Sequence, residues 1–217
     1  MVKVYLSERA NPILIEYLKE RKYDISYVFS TTYTYNSVSS HPDMYLCKLG
    51  FRKMFYGNPE KLGFNYPENI KYNAAVMGNY FIHNLKFTSH DLLDEVKRTD
   101  RKLISVQQGY TKCNLAIIDS HAAITSDQGI AQAIRSADKD GEIDLLVIEP
   151  GHIKLKGKEY GFIGGASGRV GDEMIFHGNL EDHPDCGKMV EFVRKHHCRL
   201  KYFPEFELED IGSIIEF

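Results

Sequence analysis

One pattern recurs three times between Asn73 and Pro204 and limits what this chain can fold into. Each copy reads as two short apolar strands, a helix announced by Ser, Thr or Asp, and a third apolar strand. The first copy spans 73–77, 80–84, a helix from Ser89 and 103–106. The second spans 114–118, 122–125, a helix from Ser126 and 145–150. The third spans 161–165, 173–177, a helix from Asp182 and 199–203. Such a unit cannot bury its apolar face alone, so several must pack about a shared centre. The copies begin 41 and 47 residues apart, and the 217 residues divide into five units of about 43. This spacing predicts one α/β domain over 1–217, with the units in a ring around a central cavity. The first two units are then degenerate or split across the termini.

The flanking segments fit that plan. Residues 2–6 read as a strand, and a helix follows with Asn11 as N-cap and Pro12 in its first position. Leu14, Ile15 and Leu18 form its apolar stripe. Residues 25–29 read as the returning strand and 31–40 as a polar loop. The stretch 49–70 is turn-rich, with three glycines and two prolines in its interior. Residues 211–215 read as a last strand that closes the ring.

Charge and cysteine usage exclude several classes. A formal net charge of −3 with scattered Lys and Arg argues against a nucleic-acid partner. No apolar run approaches the roughly 20 residues of a membrane-spanning helix, and the N-terminus lacks a signal-peptide pattern. Cys47, Cys113, Cys186 and Cys198 lie far apart, without a disulfide-scaffold spacing, so a reduced, cytoplasmic setting is expected.

Several residues carry possible chemistry. Cys113 stands between Lys112 and Asn114. A neighbouring ammonium lowers a thiol pKa, as nucleophilic attack requires, and Asn114 could donate to a developing charge. The alternative is a small buried hydrophobe beside a surface lysine. His41-Pro42-Asp43 sets a base and a carboxylate two residues apart, on one face if the segment is extended. It could equally start a helix, as expected for His183-Pro184-Asp185. Asp127 and Glu149 follow apolar strands and could grip a cation, or serve as a helix-start charge and a turn residue. His152 is a further acid/base candidate. Gly161–Gly168 lacks the spacing of a phosphate or dinucleotide loop; Gly164, Gly165 and Gly168 instead suit a close backbone approach. Ser167 within it is a nucleophile candidate without an adjacent base. The His and Cys residues between His183 and Cys198 are not spaced as zinc ligands, and neither a metal nor a cofactor is expected.

Four segments bring a family into view: Ser40-His41-Pro42-Asp43, Gln108 to Asn114, Ile124-Thr125-Ser126-Asp127, and Tyr160 to Gly168. Together with the terminal Gly-Ser-Ile, they resemble an uncharacterised bacterial branch of the guanidino-group-modifying, or pentein, superfamily. The resemblance implies a pentein-type β/α propeller of five pseudo-symmetric ββαβ-like units around a central cleft. Characterised members include deiminases, dimethylarginine hydrolases and amidinotransferases. They combine a cysteine nucleophile, a histidine acid/base and carboxylates that hold the guanidinium. Their cysteine sits near the C-terminus after a glycine-rich segment, a place where this chain has Ser167 and no cysteine. The expectation is a guanidino- or amidino-modifying hydrolase acting on a small cationic ligand. Cys113 attacks, His41 moves protons, and Asp43 and Asp127 hold the cation. Gln108, Asn114, Lys112 and Ser167 belong to the substrate pocket. The alternative is a non-catalytic binding scaffold, since the superfamily also contains ribosome-binding initiation factors.

Overall fold

The computed structural model describes residues 2–217. It is a mixed α/β fold of five small sheets and five helices. The first sheet contains β1 (Lys3–Ser7), joined through α1 (Pro12–Glu20) to the parallel β2 (Asp24–Val28). Asn11 caps α1 by accepting from Ile13 N, as its sequence context predicts. A hairpin of β3 (Leu46–Gly50) and β4 (Lys53–Tyr56) forms the second sheet. The third has β5 (Ala75–Met77) antiparallel to β6 (Tyr80–His83), which runs through α2 (His90–Lys97) to the parallel β7 (Lys102–Ser105).

A short helix, α3 (Thr111–Asn114), precedes the fourth sheet: β8 (Ala116–Ile117), β9 (Ala122–Thr125), α4 (Gln128–Ala137) and β10 (Asp144–Val147). The fifth has β11 (Ser167–Val170), β12 (Glu173–Phe176), α5 (Cys186–Lys195) and β13 (Arg199–Lys201). In both, an antiparallel pair is followed by a helical crossover to a parallel strand. β14 (Ile215–Glu216) returns to β1 as its antiparallel partner. The first sheet therefore has the same arrangement, with its leading strand supplied by the C-terminus. The second lacks the helix and third strand.

Every crossover helix buries an apolar stripe against strands. Leu14 and Leu18 of α1 pack with Val4, Leu6 and Phe203, while Ile130 and Ile134 of α4 pack with Ile82 and Ala123. Met189 and Val193 of α5 cover Phe176. Each such fully buried side chain contributes about 1.5–3 kcal/mol of transfer free energy. One strand of each sheet also faces a shared cavity of about 570 Å³, through Lys48 (β3), Val76 (β5), Ile117 (β8), Arg169 (β11) and Ile215 (β14). No helix of the described residues is long and apolar enough to cross a membrane.

Four local expectations are corrected. The segment 114–118 is not strand throughout, because a helical turn occupies Thr111–Asn114. The stretch 161–165 forms no strand, and strand begins at Ser167, after the glycines have wrapped a buried side chain. The helix expected from Ser126 is capped by Asp127, whose Oδ1 accepts from Ile130 N, while Thr125 Oγ1 accepts from Asp127 N. The helix expected from Asp182 begins at Cys186, because Leu180–Asp182 forms a separate 3₁₀ turn.

Candidate functional site

Cys113 lies on α3, and this four-residue helix is held from outside. Asn73 Oδ1 accepts from the backbone N–H groups of Lys112 (2.9 Å) and Cys113 (3.3 Å), acting as a cap supplied from a distant segment. Thr111 Oγ1 donates to Gln108 O, and Gly165 N donates to Cys113 O at 2.7 Å. The same Asn73 amide donates to the thiol at 3.3 Å and to Asp43 O at 3.2 Å. One side chain thus positions the helix, the sulphur and the opposing turn.

That turn is Pro42–Met44, a 3₁₀ segment with His41 before it. Of the two conformations the sequence allowed for His41-Pro42-Asp43, the helical start is realised, and both side chains are nevertheless buried in the site. The thiol donates to Asp43 Oδ2 at 3.0 Å, and Ser213 Oγ donates to the same oxygen at 2.7 Å. Lys112 Nζ donates to Ser213 Oγ at 3.0 Å. Asp43 Oδ1 and His41 Nδ1 are buried without a hydrogen-bond partner among the described residues.

Asp210 completes the cluster. Its carboxylate accepts the N–H groups of Phe162 and Gly212, both at 3.0 Å, and lies 3.7 Å from His41 Nδ1. A nitrogen of His41, the Cys113 sulphur and an Asp210 oxygen lie within 4.8 Å of one another. They are the one group of His, Cys and acidic residues among those described that is spaced to hold a metal ion. Sequence reasoning missed Asp210, Asn73 and Ser213. The available signal was Asp-Ile-Gly-Ser near the C-terminus, an aspartate positioned to accept from the N–H two residues on.

His41, Cys113 and Asp210 form the floor of a pocket of about 310 Å³, and Asp43 lies behind the thiol without lining it. Tyr110, Phe162 and Tyr160 make one wall, with successive ring centroids 6.5 and 6.1 Å apart. Tyr35 faces them, its hydroxyl 2.5 Å from that of Tyr110, and the Lys158 ammonium sits 4.3 Å from the Tyr35 ring centroid. Glu159 also lines the pocket.

Burial governs the electrostatics. It raises the Cys113 thiol well above its ordinary range, and the charges of Asp43 and Asp210 push the same way. The expectation that Lys112 activates this thiol is therefore corrected: its ammonium is spent on Ser213, and the nearer carboxylate favours the protonated sulphur. Burial lowers His41 to about 4. It raises Asp210 to about 7, with the charge of Asp43 adding to the effect.

A raised carboxyl pKa favours the fold below its unfolded value of about 3.9, and that contribution is lost as pH climbs through about 7. Lowered histidines act in the opposite sense and are common to wild type and variant. Relative to wild type, Asp210→Asn should therefore gain about 3 kcal/mol between pH 4 and pH 7. Melting temperatures of the two proteins across that range should diverge accordingly, and parallel curves would exclude the linkage.

Of the residues expected to form the site, Cys113, His41 and Asp43 come together. Asp127, Gln108, Asn114, Lys112 and Ser167 do not line the pocket. Gln108 Nε2 donates to Asp127 Oδ2 at the start of α4, and Asn114 donates to Tyr110 O. Ser167 Oγ donates to Ile163 O, and Lys112 faces the cavity shared by the five sheets. Glu149 and His152 pair with each other at 3.3 Å. The 183–198 group is dispersed, His196 turning to Asp119 and Asp144, and Cys198 to Asp172 O.

Residues 55–215 match a sequence-family model described as a family of unknown function (DUF6873). No curated protein and no solved structure matches the chain.

Proposed function

We propose a function, from its pocket alone, for a chain that belongs to the family of unknown function DUF6873: hydrolysis at the central carbon of a guanidinium or amidinium group, with Cys113 as nucleophile. One observation carries it. A buried thiol bonded to a carboxylate sits beside a neutral imidazole and a second carboxylate, at the floor of an aromatic-walled pocket. Such walls accommodate cations, as Lys158 over Tyr35 illustrates, and a planar amidinium suits a carboxylate through paired hydrogen bonds. The scaffold is a five-unit propeller in this proposal. Support comes from the repeated sheet connection and from the five strands around one cavity; β3–β4 is its reduced unit.

The chemistry runs in two halves. Asp210 holds the cation, and Asp43 orients the thiol. Positive charge beside the sulphur offsets the carboxylates and lowers the thiol pKa. His41 takes the thiol proton, and the S–C bond forms to give a neutral tetrahedral adduct. The imidazolium then protonates the leaving amine, the C–N bond breaks, and a cationic S-amidinium remains on Cys113. Water adds to that carbon as His41 takes one of its protons, and the C–S bond breaks. The thiolate recovers a proton from the departing group, and the proton on His41 passes to the released amine. The products are a urea or an amide, and the restored thiol.

The test compares 2-chloroacetamidine, a cation with an alkylating carbon, with neutral 2-chloroacetamide. Rates are read at Cys113 by peptide mass spectrometry and normalised to free cysteine. The amidine should label at least tenfold faster, and Asp210→Asn should abolish the preference. Equal normalised rates would remove the cation-binding hydrolase and leave the binding scaffold. Labelling that needs prior chelator treatment would identify His41, Cys113 and Asp210 as metal ligands instead.

A further inference from the structure

The larger cavity is separate from the thiol pocket. The two share no lining residue, although neighbouring residues Lys112 and Cys113 face one each. Its composition is unusual for a space of about 570 Å³ between strands. Val76, Ile117 and Ile215 give it an apolar wall, and Phe51, 80% exposed, stands with them. Lys48, Arg101, Lys112 and Arg169 also face it. The ion pairs among the described residues are all made by other cations.

Two acidic residues line the same cavity, and both are engaged elsewhere. Asp119 accepts from His121 N and lies 3.5 Å from His196 Nδ1, while Glu216 accepts from Gly171 N. The cations hold only neutral partners: Arg169 donates to Ile118 O and Gly171 O, Arg101 to Leu49 O, and Lys112 to Ser213. Arg101 Nε is buried with no partner among the described residues. Burial holds Lys48 below the usual lysine range, and Arg169 adds to the effect against the opposing charge of Glu216. The half-buried Lys48 and Arg101, with the exposed Arg169 beside them, make no direct ion pair among the described residues, and one anionic group in the cavity would supply it.

We propose that this cavity is a binding site for a small organic anion with an apolar body, such as an amphiphilic carboxylate, sulfonate or phosphate. The acid group lies among Lys48, Arg101 and Arg169, and the body lies along Val76, Ile117 and Ile215 toward Phe51. The volume fits a drug-sized ligand. The site is independent of the chemistry assigned to Cys113.

The probe is 1-anilinonaphthalene-8-sulfonate, titrated by fluorescence into the full chain, with its neutral relative N-phenyl-1-naphthylamine as comparison. The sulfonate should saturate one site per chain and bind at least tenfold more tightly than the neutral dye. Lys48→Glu should weaken it at least tenfold by reversing a contacting charge. Val76→Trp should do the same by filling the apolar wall; if that variant does not fold, Lys48→Glu decides alone. Lys112 stays unaltered because it supports Ser213 beneath Asp43. Absence of saturable binding, equal affinity for the neutral dye, or undiminished binding by folded Lys48→Glu would each overturn the site. Labelling of Cys113 by amidines bears on none of these outcomes.

Discussion

Gly212→Ala is expected to lower the melting temperature by about 10 °C, from a loss of about 4 kcal/mol. Gly212 has φ +80°, and a β-carbon there would lie 2.1 Å from His41 Cβ and 2.4 Å from His41 Cα. These atoms belong to a buried residue with little room to retreat, since Asp43 N donates to Gly212 O and fixes the two segments together. Gly141→Ala separates the two costs. It has φ +68° with open space around it, so only backbone strain of about 1–2 kcal/mol remains. Thermal melts of both variants should therefore differ by several degrees. Equal shifts would mean that backbone strain alone accounts for Gly212, and that His41 is not clamped by this contact. Because the contact also sets His41 against Asp210, the folded fraction of Gly212→Ala should lose its preference for amidine labelling.

The parts legible in the sequence are those whose signals are local. Asn11 and Pro12 start α1 as their chemistry dictates, and β9 occupies Ala122–Thr125 because its apolar run is bounded by turn residues. Cys113, His41 and Asp43 could be singled out by residue type and neighbours. The missed features depend on distant partners. Nothing near Thr111 announces a helix; its N–H groups are satisfied by Asn73, about 40 positions earlier. The segment 161–165 reads as a short apolar strand through Phe162 and Ile163, but Gly165 must pass Asp210, where a β-carbon would come within 2.0 Å of a carboxylate oxygen. That close approach excludes any other residue at this position and bends the chain away from a ladder. Asp127 carried a cation-binding expectation because it follows an apolar strand, yet its oxygens are taken by Ile130 N and Gln108. Asp210 was invisible for the converse reason: its importance lies in which loops it ties together.

The same contrast between neighbours in sequence and neighbours in space fixes how Cys113 should react. Lys112 adjoins it in the chain, but Asp43, 3.0 Å away, controls the thiol. With the thiol raised by burial and by both carboxylates, and Cys113 only 2% exposed, iodoacetamide should alkylate it at pH 7 at least a hundredfold more slowly than free cysteine. Asp43→Asn removes a charge that, at an effective dielectric of about 20, disfavours a thiolate at this separation by roughly 5 kcal/mol. Even after relaxation and loss of the thiol hydrogen bond, the thiolate fraction near pH 8 should rise by about a hundredfold. A loosened fold would also speed alkylation, so the rate alone does not decide. Loosening scales the rate equally at every pH, whereas loss of the Asp43 charge moves the midpoint of the pH–rate curve downward. Peptide-resolved alkylation between pH 6 and 11, with Cys47 as the internal buried control, distinguishes the two. An unmoved midpoint would mean that Asp43 does not hold the Cys113 proton, and the proposed hydrolase would lose the group that keeps its nucleophile at rest until a cation arrives.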